Sequence, residues 1–211
     1  MLFRSIYGVW DLPFGPGKRF ASGRSFAARL LERWQVGTFL AMTSGAPLGL
    51  LSNSASVNTF GDNTPVALGP FPKSVGSVRR TGEAVVYFDG LRQVPDPSLA
   101  GMTPALRVRS TLLAIADASG RILLVNPTPG MLGNLAPRFL EGPGQFHLDL
   151  SMFKNIAITE RKNLELRVDA IGFTNTPNFG APVTEISNPM FGRITTATGI
   201  RIIVVTARFN F

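Results

Sequence analysis

The end of the chain alternates most plainly. From 203 to 211 it reads I-V-V-T-A-R-F-N-F, with Ile203, Val205, Ala207, Phe209 and Phe211 apolar and Thr206, Arg208 and Asn210 polar. Successive side chains of a β-strand point to opposite faces, so this stretch predicts a strand with one face for hydrocarbon and one for water. Two further stretches repeat the pattern. Over 146–152, Phe146, Leu148, Leu150 and Met152 alternate with His147, Asp149 and Ser151, and over 164–170, Leu164, Leu166, Val168 and Ala170 alternate with Glu165, Arg167 and Asp169. A charge at every second position suits the wetted side of an outer-membrane barrel wall better than a soluble sandwich core.

Two strands are expected nearer the N-terminus. The first, 2–12, carries the β-formers Phe3, Tyr7, Val9 and Trp10 and is closed by Pro13 and the Gly15-Pro16-Gly17 turn; the second, 34–43, has Trp34, Val36, Leu40 and Met42 at even positions. Between them, 26–33 (F-A-A-R-L-L-E-R) has helical composition and predicts one short helix. The expected strands are therefore 2–12, 34–43, 146–156, 163–173 and 199–211.

The connections alternate in length. The polar turn at 159–162 is short, whereas 48–144 and 174–193 are long and rich in Gly, Pro, Asn and Ser. A structureless stretch as long as 48–144 is unusual in a folded domain. It holds strand-like islands at 84–88, 112–116 and 122–125, with D-A-S-G at 117–120 as a hairpin turn, and so predicts a large loop with short strands of its own. Short turns at one end and long loops at the other are the periplasmic and extracellular ends of such a barrel, which puts Phe211 on the periplasmic side. Trp10, Phe14, Trp34, Phe209 and Phe211 all fall near that end, as a membrane-interface girdle would. The expected fold is all-β: an antiparallel meander over 1–211 that forms the last strands of a transmembrane outer-membrane β-barrel, incomplete and with long extracellular loops.

Composition agrees. Among 211 residues, 22 Gly and 16 Pro punctuate the chain, 16 Phe are present and only 16% of residues are charged, a balance that favours β-structure over a helical bundle. The net charge of +8 raises nucleic acid as a partner, but the arginines are scattered from Arg4 to Arg208 with only Arg79 and Arg80 adjacent, so no nucleic-acid surface is expected. The absence of cysteine excludes disulfides and thiolate metal sites. No apolar run reaches the roughly 18–20 residues of a membrane-spanning helix, which leaves a barrel open. The start, M-L-F-R, offers no signal-peptide core, so the chain is expected to be the C-terminal piece of a longer protein.

Candidate chemistry is sparse. His147, Asp149 and Ser151 hold the residue types of a triad, but alternate strand residues sit about 7 Å apart and His147 would lie roughly 13 Å from Ser151, so no triad is expected. With His147 the sole histidine, a three-ligand zinc site is implausible. Asp149, Glu165 and Asp169 could hold a hard cation, but pairing across strands with Arg167, Arg201 or Arg208 is the expectation. Gly142-Pro143-Gly144 lacks the Lys and Ser/Thr of a phosphate loop. The expectation is no enzyme, no cofactor and no metal. His147, Asp149, Glu165, Arg167, Asp169 and Arg208 are the candidates for lining a lumen.

Several segments also resemble a known family. F-H-L-D-L-S-M-F-K-N-I-A-I-T-E-R (146–161), L-E-L-R-V-D-A-I-G-F-T-N-T-P-N-F-G (164–180), N-P-M-F-G-R-I-T-T-A (188–197) and the aromatic end follow D-L-P-F-G-P-G-K-R-F (11–20) and W-Q-V-G-T-F-L-A-M-T-S-G-A-P (34–47). Together they are similar to the C-terminal barrel portion of TonB-dependent receptor-like outer-membrane proteins of the Oar-like type, which carry a carboxypeptidase-regulatory-like N-terminal domain. The stretch 53–108 matches nothing in that family. The resemblance implies a 22-stranded barrel with a plug, a role in uptake of an unidentified ligand, and a terminal strand whose Phe209 and Phe211 form the signal read by the barrel-assembly machinery. The implied partners are outer-membrane lipid, that machinery, and barrel and plug segments lying upstream. The alternative is a soluble all-β module for a carbohydrate or protein ligand, whose apolar strand faces would pack against a second sheet.

Overall fold

A computed structural model describes residues 2–15, 17–20, 32–52, 63–72 and 75–211. Five long strands run through it: β1 (Phe3–Asp11), β2 (Trp34–Thr43), β3 (Gln145–Ala157), β4 (Asn163–Ile171) and β5 (Ile202–Asn210). They lie side by side in chain order, each antiparallel to its neighbour, in one five-stranded sheet. β1 and β5 are its edges, so the sheet is a wall sector and not a closed barrel. β4 and β5 fall furthest short of expectation, each at one end. β4 stops at Ile171 because Gly172 turns the chain at φ +61°, and β5 begins at Ile202 because Gly199 turns it at φ +95°. The expected helix at 26–33 lies outside the described residues apart from Glu32 and Arg33, which form a turn with Arg33 at φ +60°.

The register carries the alternation across all five strands. Trp10 lies opposite Val36, Val36 opposite Met152, Met152 opposite Val168 and Val168 opposite Val205, an apolar row on one face. One residue along, Val9, Gly37, Ser151, Asp169 and Val204 line up on the other face. A slip of one residue in β4 would send Glu165, Arg167 and Asp169 to the apolar side, so this patterning pins the register there.

The wall forms one compact unit (Leu2–Thr43, Gln145–Asn178 and Thr198–Phe211); the second is built from Ser44–Gly144 together with Phe179–Ala197. The sequence treats these as two separate loops, and the structure joins them in one packed body. Its strands are short: Val66–Ala67, Ile122–Val125, Leu113–Ala116 and Arg92–Pro95 make a four-stranded sheet, and Arg193–Ile194, Ala84–Val86 and Arg79–Thr81 a three-stranded one. Leu50, Tyr87, Phe88, Ile115, Leu124, Ile186 and Ile194 share its core. The hairpin at 117–120 forms as the D-A-S-G signal predicts. The Asp117 side chain accepts bonds from Ser119 N at 2.9 Å and Arg121 N at 3.1 Å, while Gly120 takes φ +93°.

Polar side chains tie the second connection to the first. Gln93 Nε2 donates to the carbonyls of Ile186 and Asn188 at 2.8 and 2.7 Å. Leu113 N donates to Ser187 Oγ at 3.2 Å, and Ser187 Oγ lies 3.3 Å from Asn126 Oδ1. The same network buries Asp96, whose carboxylate accepts from Ser98 N, Asn126 N and Asn126 Nδ2 at 2.9, 2.9 and 3.0 Å. A buried polar group is tolerated when it is bonded in this way.

Candidate functional site: the two faces of the wall

The register settles where each candidate lies. His147 and Asp149 on β3, Glu165, Arg167 and Asp169 on β4, and Arg208 on β5 all fall on one face, with Glu165 directly opposite Arg208. Phe209 belongs to the other face, opposite Leu164. Phe211 lies beyond β5, 93% exposed, with its ring stacked on Phe209 at 6.0 Å between centroids.

The polar face holds ion pairs and short hydrogen bonds, and no triad. His147 Nε2 lies 2.8 Å from Asp149 Oδ1, while Ser151 Oγ donates to Asp169 Oδ1 at 2.6 Å. Ser151 therefore belongs to a different carboxylate from His147, and there is no base–nucleophile contact. Arg167 Nε reaches both oxygens of Asp169, at 2.9 and 2.8 Å. This corrects the expected pairing across strands: Arg167 and Asp169 sit on one strand, two residues apart. Arg201 lies outside the strands and uses its backbone N–H to bond Asn175 Oδ1 at 3.3 Å. No group of three or more His, Cys, Asp or Glu among the described residues could hold a metal ion.

β3 outruns β4, which pairs with it only from Leu150 onward. Side chains and turns complete the ladder there. Asn178 acts as a strand partner for Phe146, accepting from its N–H at 2.8 Å and donating to its carbonyl at 2.9 Å. Gly172 N donates to Asp149 Oδ1 at 2.8 Å and Phe173 N to Leu148 O at 2.7 Å. Asp149 thus has a structural duty as well as a charge. Asn178 had no sequence signal, because its role follows from the offset between two strand ends.

The opposite face is apolar and open. Ile6, Trp10, Met42, Met152, Ile203, Val205 and Phe209 are exposed there. Among the described residues, no buried hydrophobic side chain belongs to the five strands. A soluble sandwich would bury this face in a shared core. At the end marked by Asp11, the 158–162 turn and Asn210, the face carries Trp10, Trp34 and Phe209, with the Lys154 ammonium 5.7 Å from the Trp34 ring centre. Lys154 is itself buried, 4% exposed, and tryptophans at a strand end suit a membrane–water interface. No helix among the described residues is long and apolar enough to cross a membrane.

The polar face has three recesses among the described residues; one, lined by Phe3, His147 and Asn178, lies at the loop end, and the other two differ in size. The larger, about 800 Å³, opens at the turn end and is lined by charges of both signs, among them Asp11, Glu160, Arg161 and Glu165. The smaller, about 410 Å³, lies at mid-strand over Gly37 and is edged by Tyr7, Val9, Phe39, Asp149 and Ser151. Nothing in the sequence marks Tyr7 and Phe39 as members of the polar face, because apolar residues fall on both faces of β1 and β2 and hide the alternation.

In comparison with known proteins, a family model described as an outer membrane beta barrel domain matches residues 4–203. No curated protein and no solved structure matches the chain.

Proposed function

We propose a function on one premise: the chain belongs to the outer membrane beta barrel domain family, and is an outer-membrane protein. Its five strands serve as a sector of the wall of a TonB-dependent transporter-like barrel, and that wall contributes to uptake of an unidentified ligand. One observation carries this reading. All six charged or ionisable candidates share one face, and the opposite face is an apolar band with aromatics and Lys154 at one end and Arg4 at the other. The polar face then lines the lumen and the apolar face meets outer-membrane lipid. Phe209 and Phe211, at the end of β5, are the part offered to the barrel-assembly machinery.

The strand directions limit how such a barrel closes. β1 and β5 run the same way, because an odd number of antiparallel strands separates their outer edges. Neither joining β5 to β1 nor setting copies head to tail gives an antiparallel seam. An antiparallel closed barrel therefore takes an odd number of further strands. In this reading those strands and a plug come from upstream segments.

Fluorescence in lipid tests the wall. With the chain folded into vesicles, brominated lipid is expected to quench Trp10 and Trp34 strongly, because both lie on the apolar face. A chain that stays soluble and monomeric without detergent, with tryptophans untouched by brominated lipid, overturns the reading.

A further inference from the structure

The charge on the polar face departs from that of the chain. The chain carries +8, yet the strand residues of this face set Asp11, Asp149, Glu165 and Asp169 against Arg167 and Arg208. Beside these carboxylates lies an aromatic step. Tyr7, Phe39 and Asp149 form one row across β1, β2 and β3, and Tyr7 is 82% exposed. In the next row Gly37 sits between Val9 and Ser151. The absence of a side chain there opens the recess of about 410 Å³. Nothing in the backbone demands glycine: Gly37 has no positive φ, and a Cβ would meet Ser151 Cβ at an ordinary 3.6 Å. The gap is a feature of shape.

We propose that this recess binds an organic ammonium cation, whose hydrocarbon lies over Gly37 between Tyr7 and Phe39 and whose charge faces Asp149. A ring face attracts a cation through its quadrupole, and a neighbouring carboxylate adds a full charge. His147 and Gly172 N occupy Oδ1 of Asp149, which holds the carboxylate in place beside the ring. The proposal rests on the wall reading and names the ligand class that the wall favours.

The test uses the full chain in lipid nanodiscs, with choline and its neutral isostere 3,3-dimethylbutan-1-ol as probes. Ligand-observed NMR reads binding, with empty nanodiscs as the reference. Choline is expected to bind roughly tenfold more tightly than the isostere, the size of a cation–π contact near a carboxylate. Gly37→Leu, which fills the recess without removing a charge, should abolish choline binding. Asp149→Asn, which keeps an oxygen for Gly172 N, should erase the preference for choline over the isostere. Equal binding of both probes, binding of neither, or choline binding that survives Gly37→Leu overturns the proposal. Quenching of Trp10 and Trp34 by brominated lipid in the same samples separates the two readings. Quenched tryptophans without choline binding sink the ligand class alone; unquenched tryptophans sink the wall.

Discussion

At the scale of single residues, Asp96 is a buried carboxylate held by its neighbours. It is 2% exposed and accepts three hydrogen bonds from Ser98 and Asn126. Burial pushes its carboxyl up, but the bonds from Asn126 and Ser98 together outweigh burial and hold it below the ordinary value. A depressed folded value means stability that is complete above about pH 5 and lost as the pH falls through that folded value. Protection of the amides at 122–126, taken against the intrinsic exchange rate at each pH, should therefore fall in acid. Asp96→Ala should cost about 2–3 kcal/mol at neutral pH by leaving buried donors without an acceptor. Asp96→Asn should cost less and remove this contribution to the acid dependence. Unchanged exchange in Asp96→Ala at pH 7 would mean that the network does not stabilise its surroundings. Nothing in the sequence marked Asp96, since an aspartate before Pro97 reads as an ordinary turn.

At the scale of elements, the two faces of the sheet make opposite predictions. Val168 lies within the apolar row of β4, while Thr206, opposite Arg167, lies on the polar face of β5. An arginine facing lipid near mid-membrane costs about 2–4 kcal/mol, and one facing water costs far less. Urea unfolding in vesicles should show Val168→Arg losing that much and Thr206→Arg changing little. If Thr206→Arg is the more damaging of the two, the face assignment is inverted. The alternation that fixes these faces was legible in β3, β4 and β5, where charges and aliphatics alternate at nearly every position. It was faint in β1, where Phe3, Tyr7 and Val9 occupy the polar face. An edge strand whose two faces are both apolar gives no period of two to read.

At the scale of the whole molecule, the two long connections fold as one unit, so each should depend on the other. Ser187 and Gln93 are the joints, with Ser187 bonding Leu113 and Gln93 bonding the carbonyls of Ile186 and Asn188. Replacing both by alanine should expose 179–197 to protease while β3, β4 and β5 stay protected. Equal resistance in wild type and double variant would show that the apolar core alone holds the segment. Gly133 belongs to the same packing, because a Cβ there would lie 1.7 Å from Thr64 O. Its N–H donates to Asn63 Oδ1 at 3.0 Å.

Strand identity, the chemistry of each face in β3, β4 and β5, and the order of short and long connections follow from the sequence alone. A period of two is a local property, and so is the D-A-S-G turn at 117–120. Partnership between distant segments is not local. Only the tertiary structure decided that Arg167 pairs within its own strand, that Asn178 completes the ladder of β3, and that 179–197 shares a core with 44–144. It alone set Tyr7, Phe39 and Asp149 in one row. Each of these depends on register and on strand ends, which are fixed by the sum of many weak cross-strand contacts and not by any one residue type.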